Sequence, residues 1–518
     1  MIRAPTLRVT PLARFLTLTV LMAACGPTVW HPSTSGPEEI PTQVESPFLK
    51  VHLHSGEVAV LREWNPALSS DSRLTGTGTL YDRDRRVVKA GLHLIPTDSI
   101  ALLEANRPET VSELAVAGLV TWTAITGVTT ALCLADPKSC FGSCPTFYLS
   151  PDDQGAPVAE GFSSSFARAL QARDLDALHA VRPGGSRFSI HMRNEAWETH
   201  AVRSVGLRAA PVEPGTRILQ TSDGELLPAL RFVPPVACSS VTGDCTGSLT
   251  TRDGVELSIW TDTTDLARRT DVVLSFPAVQ GPVGVVLSAR HSFVSTFVFY
   301  QSLAFAGEGA GALLAALERG APGARERVLG PARTLGPIEV HVSEGGGVWR
   351  KVGEFGEAGP IATDRIVFPY EATGAGQTQV RLRMAQGSWR VDELGLTTLG
   401  APVEAVEVPA SAVLRAGRAD ATAFERLADP HQSLVTTRGD HYEIVFDLPE
   451  DAERYQLFLE SEGYYYEWMR SEWLVEEDPG MTVLLLSNPR EGLRRLAPAF
   501  KRVERTMEEA FWASRFRR

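Results

Sequence analysis

Two close cysteine pairs stand out in this 518-residue chain: Cys140 and Cys144 around Phe-Gly-Ser, and Cys238 and Cys245 around Ser-Ser-Val-Thr-Gly-Asp. Such pairs close a disulfide, hold a metal or cycle as a redox dithiol. Structural zinc wants four N or S ligands, normally as two short pairs, and these spacings match poorly. A redox dithiol is more usually Cys-x2-Cys beside a βαβ pattern, which is absent here. In an oxidising compartment the default is a staple, so Cys140–Cys144 and Cys238–Cys245 are the expected disulfides. Gly142 lets the first pair turn sharply, and Gly243-Asp244 suits a hairpin turn within the second. Cys133 is left over.

Acid–base candidates are sparser. In NEAWETHAV, Glu198 and His200 share a face of an extended chain, while Glu195 points the other way. One carboxylate with one imidazole can move a proton, and two polar residues on a sheet face are the plain alternative. His52 and His54 in VHLHSGE have a spacing that some metal sites use, but no further ligand follows at a suitable distance. EGYYYEWMRSEW gathers Tyr464, Tyr465, Tyr466, Trp468 and Trp473, which can fill a core or stack on a sugar or a partner. The set Glu198, His200, Tyr465, Trp468 and Trp473 is therefore the candidate binding site. Arg438-Gly439-Asp440 is more simply a turn than an adhesion motif. GEGAGALLAAL lacks the Lys-Ser/Thr of a phosphate loop, and GFSSSFA lacks the spacing of a nucleophile elbow. No catalytic residue, metal ligand or cofactor is assigned.

The compartment is read from the first residues. Arg3, Arg8 and Arg14 precede a short apolar core, Phe15 to Met22, and Leu-Met-Ala-Ala-Cys ends at Cys25. This is an export signal, and it resembles a bacterial lipoprotein signal in which Cys25 is lipidated after cleavage. Met22 is the unusual residue in that box. Loss of residues 1–24 removes three arginines and no acid, so the formal charge goes from -12 to -12 - 3 = -15. An acidic chain without clustered Lys and Arg makes nucleic acid a poor partner. The expected setting is the envelope of a Gram-negative bacterium, with a lipid anchor in the membrane and an envelope protein or glycan as partner.

The elements that must position these residues are mostly strands. Residues 25–45 form a Pro/Ser/Thr/Glu-rich tether, and 46–110 alternate as a small β domain. Residues 111–137 contain an uncharged run of 22, Leu114 to Ala135, which is long enough to span a bilayer yet holds five threonines. A packed segment is preferred, because a span would put its two flanks on opposite sides of the membrane. Residues 138–334 form a stapled β-rich domain in which Ser163 to Val181 and Gly311 to Ala321 are expected as helices. Residues 335–402 form a β-sandwich-like unit, and 403–518 an α+β region. Its last helix starts at Asn488-Pro489 and carries the stripe Leu493, Leu496, Phe500, Val503, Met507 and Phe511, with Pro498 expected to kink it. The fold class is mainly β and multidomain, with β-sandwich-like units, a few helices and a C-terminal amphipathic helix.

Cys144-Pro145-x-x-Tyr148 after an apolar segment, followed by Asn194-Glu195-x-x-Glu198-Thr199 near a strand, resembles a group of uncharacterised bacterial envelope proteins. The likeness covers about residues 70–220. It implies export and a shared fold, and supplies no catalytic residue. A non-catalytic binding or assembly module is the first expectation. An exported hydrolase acting on polysaccharide or peptidoglycan is the second, and it would need acidic or histidine side chains converging in one cleft.

Overall fold

The computed structural model describes residues 28–37, 39–42, 46, 48–67, 72–82, 87–110, 145–150, 157–179, 181, 183–345, 347–356, 359–468 and 476–514. Cys25, Cys133, Cys140, Cys144, Trp473 and the 111–137 segment lie outside them. The chain is mainly β, and its described residues build four sheets. Among the described residues no helix is long and apolar enough to cross a membrane.

The N-terminal sheet is antiparallel throughout, in the spatial order Thr28–Ser35, Ile100–Thr110, Leu49–Leu53, Val58–Trp64, Arg73–Tyr81, Val87–Pro96. Alternation buries Leu49, Val51, Ala59, Leu61 and Leu103 on one face. The Thr-Gly-Thr-Gly run of Arg73–Tyr81 lies close over its neighbour, because a Cβ on Gly78 would stand 2.0 Å from the Val60 carbonyl oxygen.

Among the described residues the central sheet has ten strands. Its main path runs Ala159–Glu160, Thr146–Tyr148, Arg187–Arg193, His441–Asp447, Val406–Arg415, Glu198–Pro211, Tyr455–Glu467, Ala172–Ala177. It curls until its two edges meet, where the Phe162 amide beside one edge donates to Asp174 Oδ2 on the other at 3.0 Å. Ile190, Val202, Val205, Leu207, Ile444, Phe446 and Leu459 fill its inside.

Residues 217–399 form a sandwich inserted between the two halves of that sheet. In one layer Arg217–Gln220, Leu226–Val233, Trp389–Leu399, Gln280–His291 and Asp364–Thr373 close into a five-stranded ring around Leu219, Leu227, Val286, Val367 and Leu399. Against its outer face packs the second layer, which includes Arg269–Phe276, Thr378–Ala385 and Ile338–Glu344, over Leu274, Val285, Val340, Phe368 and Leu382. The expected boundaries at 334/335 and 402/403 therefore do not divide the sheets. Strands on both sides of 334/335 share both sandwich layers, and the 403–518 region completes the central sheet. Local patterning finds strands, but pairing across about 200 residues leaves no local trace.

Cys238 and Cys245 form a disulfide across their hairpin, as expected. The expected helix at Ser163 to Val181 is instead a short turn, Arg168–Leu170, and a strand, Ala172–Ala177. Ala310–Glu318 is a helix, as expected. Phe293–Ala306, rich in Val, Thr, Phe and Tyr, is a helix that was not expected. Ser292 caps it by accepting the Val294 amide, and most of its faces are buried, so no polar stripe marked it in the sequence. Pro489–Ser514 is one helix running through Pro498, and Leu493, Leu496, Phe500, Val503 and Met507 bury against Phe293, Phe297 and Leu485.

Candidate functional site

Glu198 and His200 begin the long strand Glu198–Pro211, and Tyr465 ends its antiparallel partner, so Glu198 faces Glu467 and His200 faces Tyr465. The strand places Glu198 and His200 on one face as expected, with Nε2 2.8 Å from Oε1. Tyr300 donates to Glu467 Oε1 at 2.5 Å, and Trp468 Nε1 donates to Thr199 Oγ1 at 2.8 Å. The structure thus brings Glu198, His200, Tyr465 and Trp468 together, on two paired strands and the residue just past one of them, and none is more than 8% exposed. What covers Trp468 is the chain's own N-terminal sheet: the His52 ring lies 4.0 Å from it.

His52 belongs to a buried triad. Lys50 Nζ donates to Glu104 Oε1 at 2.7 Å, and His52 Nε2 lies 3.0 Å from Glu104 Oε2. Burial lowers the His52 pKa, partly opposed by Glu104. Burial alone would raise Glu104, but Lys50 and His52 outweigh it and hold the carboxyl below its ordinary value. His54 is separate, exposed in the turn after the strand, so the two histidines do not form one ligand face.

Tyr148 and the Asn194-Glu195-x-x-Glu198-Thr199 stretch also converge. Tyr148 donates to Glu195 Oε2 at 2.7 Å, and the Arg193 guanidinium lies 4.7 Å from the Tyr148 ring centre. Asn194 Nδ2 donates to the carbonyls of Glu198 and Thr436, tying the motif to the strand. Beside it His191 Nδ1 lies 3.1 Å from His441 Nε2, and burial lowers both pKa values. Arg438-Gly439-Asp440 is a turn with Gly439 at φ 93°. Its Arg438 lies on Trp197, and Asp440 accepts from Thr437 and pairs with Arg415.

An open polar cavity of about 280 Å³ lies where the N-terminal sheet meets the central sheet. His54 enters from one side, and Arg415, Asp420, Arg426, Thr437 and Tyr442 from the other. Asp420 caps the helix Ala421–Ala428, accepting the Ala423 amide at 2.9 Å, which fixes the turn of chain that forms one wall. Burial, then Asp440, pushes the Tyr442 hydroxyl up to about 12, so it stays a neutral donor. This wall offers hydrogen bonds of both senses at the small end of ligand-site volumes. An apolar cavity of about 80 Å³ lies among the helices, lined by residues such as Phe299, Leu314 and Leu485.

Sequence reasoning missed a group of acids. At the seam of the central sheet Glu160, Asp174 and Asp176 meet Asp364 of the sandwich. Glu160 and Asp176 are 3% and 4% exposed. The available signal was Asp-Leu-Asp at 174–176, which shares a face on a strand but not on the expected helix. Among the described residues no three histidine, cysteine or acidic side chains are disposed to hold a metal ion.

No family model matches the chain, and no curated protein matches it. Among solved structures a CBM4 protein is similar at 12% identity and TM-score 0.13, over 39% of this chain and 95% of that one. BuGH86 in complex with neoagarooctaose is similar at 9% identity and TM-score 0.16, over 44% and 34%. The secreted serine protease VesC from Vibrio cholerae follows at 9% and 0.14, over 64% and 63%. Likenesses this slight carry no argument about fold or activity.

Proposed function

We propose that this chain is an exported lipoprotein of the bacterial envelope, anchored through Cys25, which acts as a binding or assembly module. Its ligand site is the polar cavity between the N-terminal and central sheets. The observation that carries the reading is that cavity itself: it is open, of ligand size, and walled by Arg415, Arg426, Thr437 and Tyr442. Such a wall suits a hydroxyl-bearing ligand of monosaccharide size, as an envelope glycan would present. The aromatic cluster is not the surface used, because Tyr464, Tyr465, Tyr466 and Trp468 are buried. The hydrolase reading rests on the acids at the seam, which converge but lie beneath the surface rather than in a cleft.

The test is calorimetric titration of the membrane-purified protein with peptidoglycan and polysaccharide fragments, with released reducing ends measured in parallel. Saturable binding that Arg426→Ala or Thr437→Val weakens at least tenfold, with no release, supports the module. Release of reducing ends that Asp176→Asn abolishes replaces it with the hydrolase. Intact mass of the same preparation reads the acyl chains on Cys25.

A further inference from the structure

We propose, resting on the reading of the polar cavity as the ligand site, that its ligand is an acidic sugar whose carboxylate is held by Arg426 and whose hydroxyl groups meet Tyr442 and Asp420. The groups around the cavity differ in what the fold already asks of them. Arg415 pairs with Asp440, and its guanidinium lies 5.4 Å from the Tyr442 ring centre. Asp440 is fully occupied: beyond Arg415 it accepts the Thr437 amide at 2.8 Å and the Thr437 hydroxyl at 3.2 Å. Asp420 gives Oδ1 to the Ala423 amide and leaves Oδ2 able to accept. Arg426, in the last turn of the helix Ala421–Ala428, has neither a hydrogen bond nor an ion pair among the described residues. The Tyr442 hydroxyl likewise has no acceptor among the described residues, although the residue is only 4% exposed.

These loose ends have a definite sign and number. Arg415, Arg426, Asp420 and Asp440 all act on the Tyr442 hydroxyl, two cations against two anions. Arg415 and Asp440 satisfy each other, and Asp420 is turned partly to its helix cap. The cation left over is a partly buried guanidinium, whose planar fork fits a carboxylate through two parallel hydrogen bonds. A phosphate ester would bring a charge of about -1.5 to -2 beside two fixed carboxylates, so one free guanidinium suits a monoanion better. Asp420 Oδ2 and the Tyr442 hydroxyl supply one acceptor and one donor, and sugar hydroxyls serve in both senses. At about 280 Å³ the cavity has room for one such ring. If Arg426 merely served the dipole at its helix C-terminus, lysine would do as well, and this separates the two roles.

The experiment is calorimetric titration of the membrane-purified full chain with two matched pairs of sugars. Glucuronate and glucose differ only at the last carbon, and N-acetylmuramate differs from N-acetylglucosamine only by a lactyl ether that carries the carboxylate. Each acid should bind at least about tenfold more tightly than its neutral counterpart near neutral pH. Arg426→Gln, which keeps the stem and the helix propensity, should erase that preference and bring each acid to the level of its counterpart. Arg426→Lys is the second variant, should the first fail to fold. It keeps the charge but not the fork, and should cut the preference at least about threefold. Equal affinity for acid and neutral sugar in wild type overturns the acidic ligand and leaves the cavity a neutral glycan site. A preference unchanged in either variant overturns the role of Arg426. Tighter binding of glucose 1-phosphate than of glucuronate replaces the carboxylate with a phosphate. Binding of none of these sugars overturns the reading of the cavity itself, and the acidic ligand with it.

Discussion

Replacing Lys50 with Met tests how the N-terminal sheet is held on the central sheet. Lys50, His52 and Glu104 are each no more than 2% exposed, and the Glu104 carboxylate is held at 2.7 Å and 3.0 Å by the other two. Methionine fills the volume of the lysine stem but leaves a buried carboxylate with only an imidazole beside it. Breaking a buried pair from one side costs about 3–5 kcal/mol, most of it the burden of the stranded charge. Lys50→Met/Glu104→Gln removes that charge while the amide still bonds His52, so it should recover all but about 1–2 kcal/mol. Trp468 lies on His52 and reports the event, so urea unfolding followed by tryptophan fluorescence is the assay. The pH dependence has a definite sign. Without Lys50 a repulsion on His52 disappears and its pKa rises, so protonated His52 can pair with Glu104. A histidine whose pKa is depressed less loses less stability at low pH, so the deficit of Lys50→Met should be smaller at pH 5.5 than at pH 8. A single variant costing under about 1 kcal/mol, or a double variant as unstable as the single, would refute the account.

Three further outcomes are expected. Cys238→Ser removes a cross-link with a sequence separation of 7, worth about 2.5 kcal/mol by loop closure, and should lower the urea midpoint only under non-reducing conditions. Gly78→Ala should destabilise the N-terminal sheet by about 2 kcal/mol or more, seen as a lower Tm, because the new methyl meets the Val60 carbonyl rather than a movable side chain. Tyr148→Phe deletes the hydrogen bond to Glu195 and should cost about 1 kcal/mol in the same melt, without changing the strand content seen by far-UV circular dichroism.

What was legible in the sequence follows the range of the signal. Strand alternation marked Ile338–Glu344 and Asp364–Thr373, a cysteine pair around a Gly-Asp turn marked its disulfide, and a stripe with Asn-Pro before it marked the last helix. Glu198 and His200 were placed on one face because that face depends on two neighbouring residues. The seam was not legible, because Glu160, Asp174 with Asp176, and Asp364 come from three separate segments. The middle one was also assigned the wrong period. As a helix, Ser163 to Val181 turns Asp174 and Asp176 apart; as the strand Ala172–Ala177 it turns both to the seam. The burial of Tyr464 to Trp468 was likewise undecidable locally, since the sheet that covers Trp468 starts about 400 residues earlier in the chain.

The insertion of the sandwich also sets an order of assembly. Glu198–Pro211 pairs with Val406–Arg415 and Tyr455–Glu467, so the central sheet cannot close until nearly the whole chain has been delivered. Strands Leu226–Val233 and Trp389–Leu399 pair near the two ends of the insert, so folding the sandwich draws residues 211 and 406 together. A loop of about 195 residues then becomes a gap of about 13, which lowers the closure cost by about 2 kcal/mol. The insert thus works as its own assembly jig: made second, folded first, and holding the early strand ready for a partner that arrives last.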